Sequence, residues 1–197
     1  MQPHRRGTRK ESRLRHRTWI SVQVELVEGR GEQYWPRPGR IFAAAEDHSF
    51  AQLATAIDDA FARWDRSHLH EFELGDRTRI GIAEAEWEDE EPVLDERLVT
   101  LSRLKPREQF VYIFDLGDDW AHLCTTGTVP IDPLESLGIV PARPLPYFGW
   151  GALPDQYGRA WSGDDGEGQP PQDPELTDLP PLRPAWGPRR RAGSEGF

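Results

Sequence analysis

Two short segments do most to limit what this chain can fold into. Ser67-His68-Leu69-His70-Glu71-Phe72 and, farther along, Phe114-Asp115-Leu116-Gly117-Asp118-Asp119-Trp120-Ala121-His122 alternate polar and apolar residues around turn-forming Asp and Gly. Side chains two apart on a strand share a face, so alternation decides which histidines and aspartates can meet. Across residues 68–74 it sets His68, His70, Phe72 and Leu74 on one face and Leu69, Glu71 and Glu73 on the other. The second segment reads as a hairpin: strand 110–115 with Phe110, Tyr112 and Phe114 on one face, a turn at 116–119, and a returning strand 120–129. The returning strand carries Trp120, His122 and Cys124 on one side.

The same reasoning extends upstream. Ile20, Val22, Val24 and Leu26 alternate with Ser21, Gln23 and Glu25, the period of a half-buried strand, and a second short strand is expected at 40–45. Ser49 and Gln52 then have capping-box spacing. Behind them Phe50, Leu53, Ala54, Ile57, Ala60, Phe61 and Trp64 form an apolar stripe, which leaves Asp58, Asp59 and Arg63 facing water. Ile80 and Ile82 suggest a returning strand, and residues 100–104 a turn or short helix. Residues 84–96 hold eight acids and no base, which reads as a solvated loop without the ligand spacing of a calcium loop. Beyond Pro130 the periodicity fades. The aromatics of 149–161, among them Trp150, Tyr157 and Trp161, either form a docking patch or staple the tail onto the sheet, and stapling is the reading preferred here.

These elements predict an α+β fold: a mostly antiparallel β-sheet, one main amphipathic helix packed on one face, and an irregular C-terminal extension. Residues 1–17 form a basic arm, expected to be disordered. Arg5, Arg6, Arg9, Lys10, Arg13, Arg15 and Arg17 stand there against a single acid, Glu11, although the whole chain has a net charge of −10. The folded domain is expected at 18–161, and 162–197 reads as a Pro/Gly-rich disordered tail. No apolar run approaches a membrane span and no apolar stretch follows the first arginines, so a membrane segment or secretory signal is not expected. The single cysteine, Cys124, fits a reducing, cytoplasmic setting and reads as a small buried residue.

The order of these features resembles the plasmid pRiA4b ORF-3-like family over residues 18–130. The resemblance rests on Trp35 with residues 40–45, the capped helix, and the two histidine-bearing segments in that order. It implies an α+β fold, mostly antiparallel with helices on one side, in a group often found near mobile elements and mostly of unknown function. Leu116 stands where the family usually has an aromatic residue, and Ala121 where a charged one is common. The cysteines of many members have no counterpart at residues 146–158.

Candidate site residues are His68, His70, Asp115, Asp118 and His122. Two histidines two apart on a strand have workable spacing for a metal or acid/base centre. The competing reading makes His70 a core-edge histidine and gives Asp115 and Asp118 to capping the turn. No G-x-S-x-G elbow, phosphate-binding glycine loop or recombinase residue set occurs. The leading expectation is a cytoplasmic, non-enzymatic binding or adaptor domain for a protein or peptide partner, with no cofactor. The alternatives are a metal-dependent hydrolase using a divalent metal at the His/Asp cluster, and nucleic-acid binding through the basic arm.

Overall fold

The computed structural model describes residues 17–82 and 92–159. The arm residues before Arg17, acidic residues 84–91, Trp161 and the tail from 162 lie outside them. The chain runs through β1 (Trp19–Gly29), β2 (Glu32–Gln33), β3 (Gly39–Ala45), α1 (Phe50–Ala60), β4 (His70–Glu73), β5 (Arg79–Gly81) and β6 (Leu94–Asp95). A 3-10 turn at Leu101–Arg103 leads to β7 (Gln109–Phe114), β8 (Trp120–Thr126), α2 (Pro133–Leu137) and β9 (Leu145–Trp150). The strands form one sheet in the order β6-β5-β4-β7-β8-β1-β3-β9, with β2 paired to β1. Among the described residues only β5 and β6 pair in parallel. This is the α+β architecture expected, a mostly antiparallel sheet with one main helix.

Alternation builds the core as predicted. Val22, Val24, Leu26, Phe42, Phe72, Phe110, Tyr112, Phe114, Trp120 and Cys124 point to one face and are buried beneath Phe50, Leu53 and Ile57 of α1. Removing each of those helix side chains from water contributes roughly 1.5–3 kcal/mol. The helix begins as its sequence demands: Ser49 Oγ accepts from the Gln52 amide (3.2 Å) while Gln52 Oε1 accepts from the Ser49 amide (2.9 Å). Cys124 is buried within this layer, and burial pushes its thiol pKa up.

Several expectations are corrected. The helix stops at Ala60, and Ala62 adopts a left-handed backbone (φ 57°), so Trp64 leaves the apolar stripe and is substantially exposed. The same turn swings Arg63 inward, and Asp58 lies under the sheet; both are buried, where helical spacing put them in water. Glu96, assigned to the solvated acidic loop, is also buried. The extension beyond Pro130 is not irregular throughout. Asp132 accepts from the Leu134 amide (2.8 Å), Pro133 opens α2, and left-handed Gly138 closes it. Strand β9 then pairs with β3.

Among the described residues the second face of the sheet is covered at one end only. There Trp19, Ala43 and Ala45 pack with Ile131, Leu137, Val140 and Tyr147 around α2. Among the described residues the central part of this face, on β4, β7, β8 and the far half of β1, stays half-exposed.

Candidate functional site

Polar and ionisable side chains concentrate at one end of the sheet, where α1 finishes, β4 starts and the β7–β8 turn closes. His68 lies just before β4. Its Nδ1 is 3.1 Å from Asp115 Oδ2, and its Nε2 is 2.8 Å from the Tyr157 hydroxyl. Tyr157 donates its proton to Asp65 Oδ2 at 2.7 Å, which leaves the phenol oxygen facing His68 Nε2 as an acceptor. Asp115, His68, Tyr157 and Asp65 thus follow one another in close polar contact. The Tyr157 phenol, followed by Ser67, holds the Asp65 carboxyl down at about 2. Burial, and then Asp65, pushes Tyr157 up to about 12.

The segment that supplies Tyr157 is held by Gln156, which is fully buried. Its amide oxygen accepts from the Asp65 backbone N–H and its amide nitrogen donates to the Asp65 carbonyl, each at 3.0 Å, reproducing a strand pairing with one side chain. Trp64 meets Tyr157 edge-on (5.1 Å), and the Arg159 guanidinium lies 4.0 Å from the Trp64 ring. These contacts fasten residues 153–159 to the body, as the stapling reading of that segment expects.

His70 faces inward from β4, with Nε2 2.8 Å from Glu96 Oε2. Burial works against charge on this ring, but the hydrogen bond and charge of Glu96, with Asp58 beyond, outweigh it and raise its pKa. Deeper still, Tyr112 donates to Asp58 Oδ1 at 2.8 Å. Burial lifts Asp58 to about 6, against the pull of that hydrogen bond. His122 stands one strand farther on. Tyr112 separates it from His70, with ring centroids at 5.7 Å to His70 and 5.6 Å to His122. Burial, then the charge of Arg63, lowers His122 to about 3.

The five residues singled out from the sequence therefore divide four ways. His68 and Asp115 meet directly. His70 turns to Glu96, and His122 is enclosed by Phe61 (4.8 Å) and Tyr112. Asp118 faces Arg30 (3.7 Å), while Asp115 Oδ1 caps the turn by accepting from the Gly117 amide (3.1 Å). Among the described residues no three His, Cys, Asp or Glu side chains stand where they could share a metal ion. Of the basic-arm residues only Arg17 is described, and it pairs with Asp47 at 2.8 Å.

Sequence reasoning missed Asp58, Arg63, Glu96 and Tyr157 as members of this ensemble. Helical periodicity placed the first two in water, and a run of acids masked the third. Nothing near Tyr157 in the sequence points to a histidine 89 positions away.

The model of the family described as plasmid pRiA4b ORF-3-like protein matches residues 21–135, more than half of the sequence. The chain belongs to the plasmid pRiA4b ORF-3-like family. The match spans β1 to α2 and includes His68, His70, Glu96, Tyr112 and Asp115, whereas the Gln156–Tyr157 segment lies beyond it. A solved relative in shape is the protein of unknown function MM3350 from Methanosarcina mazei Go1, known from a crystal structure. It aligns at a TM-score of 0.52 with 22% identity, covering 68% of this chain and 69% of that one. At that identity the likeness concerns the fold of this pRiA4b ORF-3-like domain alone. Comparison with curated proteins gave no match. Among the described residues no helix is long and apolar enough to cross a membrane.

Proposed function

We propose that this domain is a recognition module that holds a basic amphipathic helix of a protein partner along the open face of its sheet. One pattern carries the reading. Glu71, Ile113, Ala121 and Glu28 stand in register across β4, β7, β8 and β1, and beside them Glu73, Val111, Leu123 and Glu25 form a second row. Each row thus runs acid, apolar, apolar, acid. A bulge in β1 between Leu26 and Glu28 produces this: the extra residue shifts Glu28 opposite Ala121, so both glutamates join the open face.

The two glutamate rails lie three strand spacings apart, about 14 Å. A helix with its side chains is about 10–12 Å across, so one helix fits between them with its apolar stripe on Val111, Ile113 and Leu123. Arg79, beside these rows, is held by Glu71 (2.8 Å), so the four glutamates keep the rails acidic on balance. The partner helix would therefore carry Lys or Arg on both flanks of a Leu/Val stripe.

The test titrates the full chain with a synthetic helical peptide of that design, and with a second whose flanks carry Glu. Binding of the basic peptide, weakened by salt and at least tenfold by Leu123→Glu, supports the reading. Equal binding of the acidic peptide, or affinity unchanged by Leu123→Glu, overturns it. So would duplex DNA competing for the basic arm while leaving β7 and β8 unprotected in hydrogen exchange.

A further inference from the structure

The basic arm joins the fold on the open side of the sheet. Trp19 pairs with Ala45 and packs with Ala43 and Ala45 beneath α2, so its ring shares a face of β1 with Gln23 and Glu25. The body grips the chain as far as Arg17. The Ile131 N–H donates to the Trp19 carbonyl at 2.8 Å, the Glu46 N–H to the Thr18 carbonyl at 2.9 Å, and Arg17 pairs with Asp47. Beside Arg17 lies a surface cleft of about 410 Å³, walled by Trp19, Ile131, Pro133, Leu134 and Val140.

The four glutamates of the open face are not equivalent. On β4, Glu71 is held by Arg79 (2.8 Å) and Glu73 faces Arg77 (3.8 Å). On β1, Glu25 and Glu28 have no ionic partner among the described residues, and Arg30 belongs to Asp118. The segment leading into that same strand carries Arg5, Arg6, Arg9, Lys10, Arg13 and Arg15 against Glu11 alone. The lengths agree as well. An extended chain that reverses at Arg17 keeps step with the strand beneath it, since both advance about 3.3 Å per residue. Leu14 then comes level with the cleft at Trp19, Arg9 and Lys10 with Glu25, and Arg5 and Arg6 with Glu28.

We propose that residues 5–14 of the chain's own arm occupy this cleft and the β1 glutamates, and that a basic partner helix has to displace them. The displacement, unlike the contact, rests on the reading of the open face as a helix-binding surface. Leu123 stands directly opposite Glu25, so an arm lying along β1 also covers the margin of the apolar rows. Tethering gives the arm an effective concentration in the millimolar range, roughly, which shuts out weak basic peptides. A helix that engages both rails overcomes it. A second copy of the chain fits this face poorly, because it sets glutamates against glutamates.

The contact is tested with a nitroxide label on Thr8→Cys in the full chain, where the native Cys124 is buried and escapes labelling. Broadening of backbone amide peaks in 1H–15N NMR spectra reports what lies near the label, and a mixture of labelled and isotope-enriched chains removes contacts between molecules. The expected broadening is strongest at residues 23–28 and 123–125 and weaker at β5 and β6 on the far side of the sheet. Leu14→Ser should reduce it, and high salt or the pair Glu25→Gln and Glu28→Gln should abolish it. Broadening spread evenly over the body, or unchanged by the paired substitution, would overturn the contact. Displacement is read separately, with the helical basic peptide and a full chain in which Arg5, Arg6, Arg9 and Lys10 are each replaced by Gln. That chain should bind the peptide at least fivefold more tightly than the parent, and equal affinity would overturn the displacement. Arm contact with no peptide binding, even by the neutralised chain, would uphold the contact and sink the helix-recognition reading instead.

Discussion

The phenol of Tyr112 donates to the carboxylate of Asp58 across 2.8 Å, tying the middle of β7 to the last turn of α1 inside the core. His122, paired with Tyr112 in the β7–β8 register, lies on its other side. The two titratable neighbours of this tyrosine are displaced in opposite directions, Asp58 to about 6 and His122 to about 3.

That opposition predicts a pH dependence. For Asp58 the folded pKa lies above the unfolded value of about 3.9, so its contribution is complete below that value and lost as pH rises through about 6, about 3 kcal/mol in all. For His122 the folded pKa lies below the unfolded 6.5, so its contribution is complete above 6.5 and lost as pH falls toward about 3. Between pH 4 and 6 the two slopes oppose each other. Urea unfolding across this range should show stability falling more steeply on acidification in Asp58→Asn than in the parent. In His122→Gln it should fall less, or rise. Parallel curves for all three proteins would contradict the assignment.

Gly29 packs against the face of Trp120, where a Cβ would overlap the indole. Gly29→Ala should destabilise the protein by about 1–3 kcal/mol through overpacking, although alanine suits a strand better than glycine. Chemical denaturation of the variant measures this, and an unchanged midpoint would show that the indole can move aside.

The cap of α1 is local and should respond locally. Ser49→Ala removes an acceptor for the Gln52 amide and should cost about 1 kcal/mol, while Ser49→Asn should restore most of it. A thermal unfolding series on the three proteins decides the point.

His70 and Glu96 form a largely buried pair at 2.8 Å. Removing either partner alone should cost about 3 kcal/mol, and the double replacement should cost less than the two single changes added together. Glu96→Gln should also lower the His70 pKa, followed through its ring protons by NMR. Because the folded His70 pKa is raised, the pair's contribution is complete below the unfolded value of about 6.5 and fades as pH rises past the folded one.

Much of the fold was legible in the sequence because the signals behind it are short-range. The period of two in β1, β4, β7 and β8 and the Ser49/Gln52 box each depend on residues a few positions apart, and each appears as expected. The candidate site was legible only in part. His68 and Asp115 meet, yet the partners of His70 and Arg63 come from places no periodicity indicates.

Alternation along each strand therefore assigned side chains to faces, and the spacing of residues from Ser49 to Trp64 assigned a capped helix, because both follow from local backbone geometry. Tertiary structure alone decided which strands became neighbours, in what register, and where the helix gave way to the Ala62 turn. Those choices set glutamates at both ends of two apolar rows, buried Asp58, Glu96 and Arg63, and carried Tyr157 to His68. The physical reason is that register and burial are settled by the free energy of packing the whole sheet against α1, a quantity no window of sequence contains.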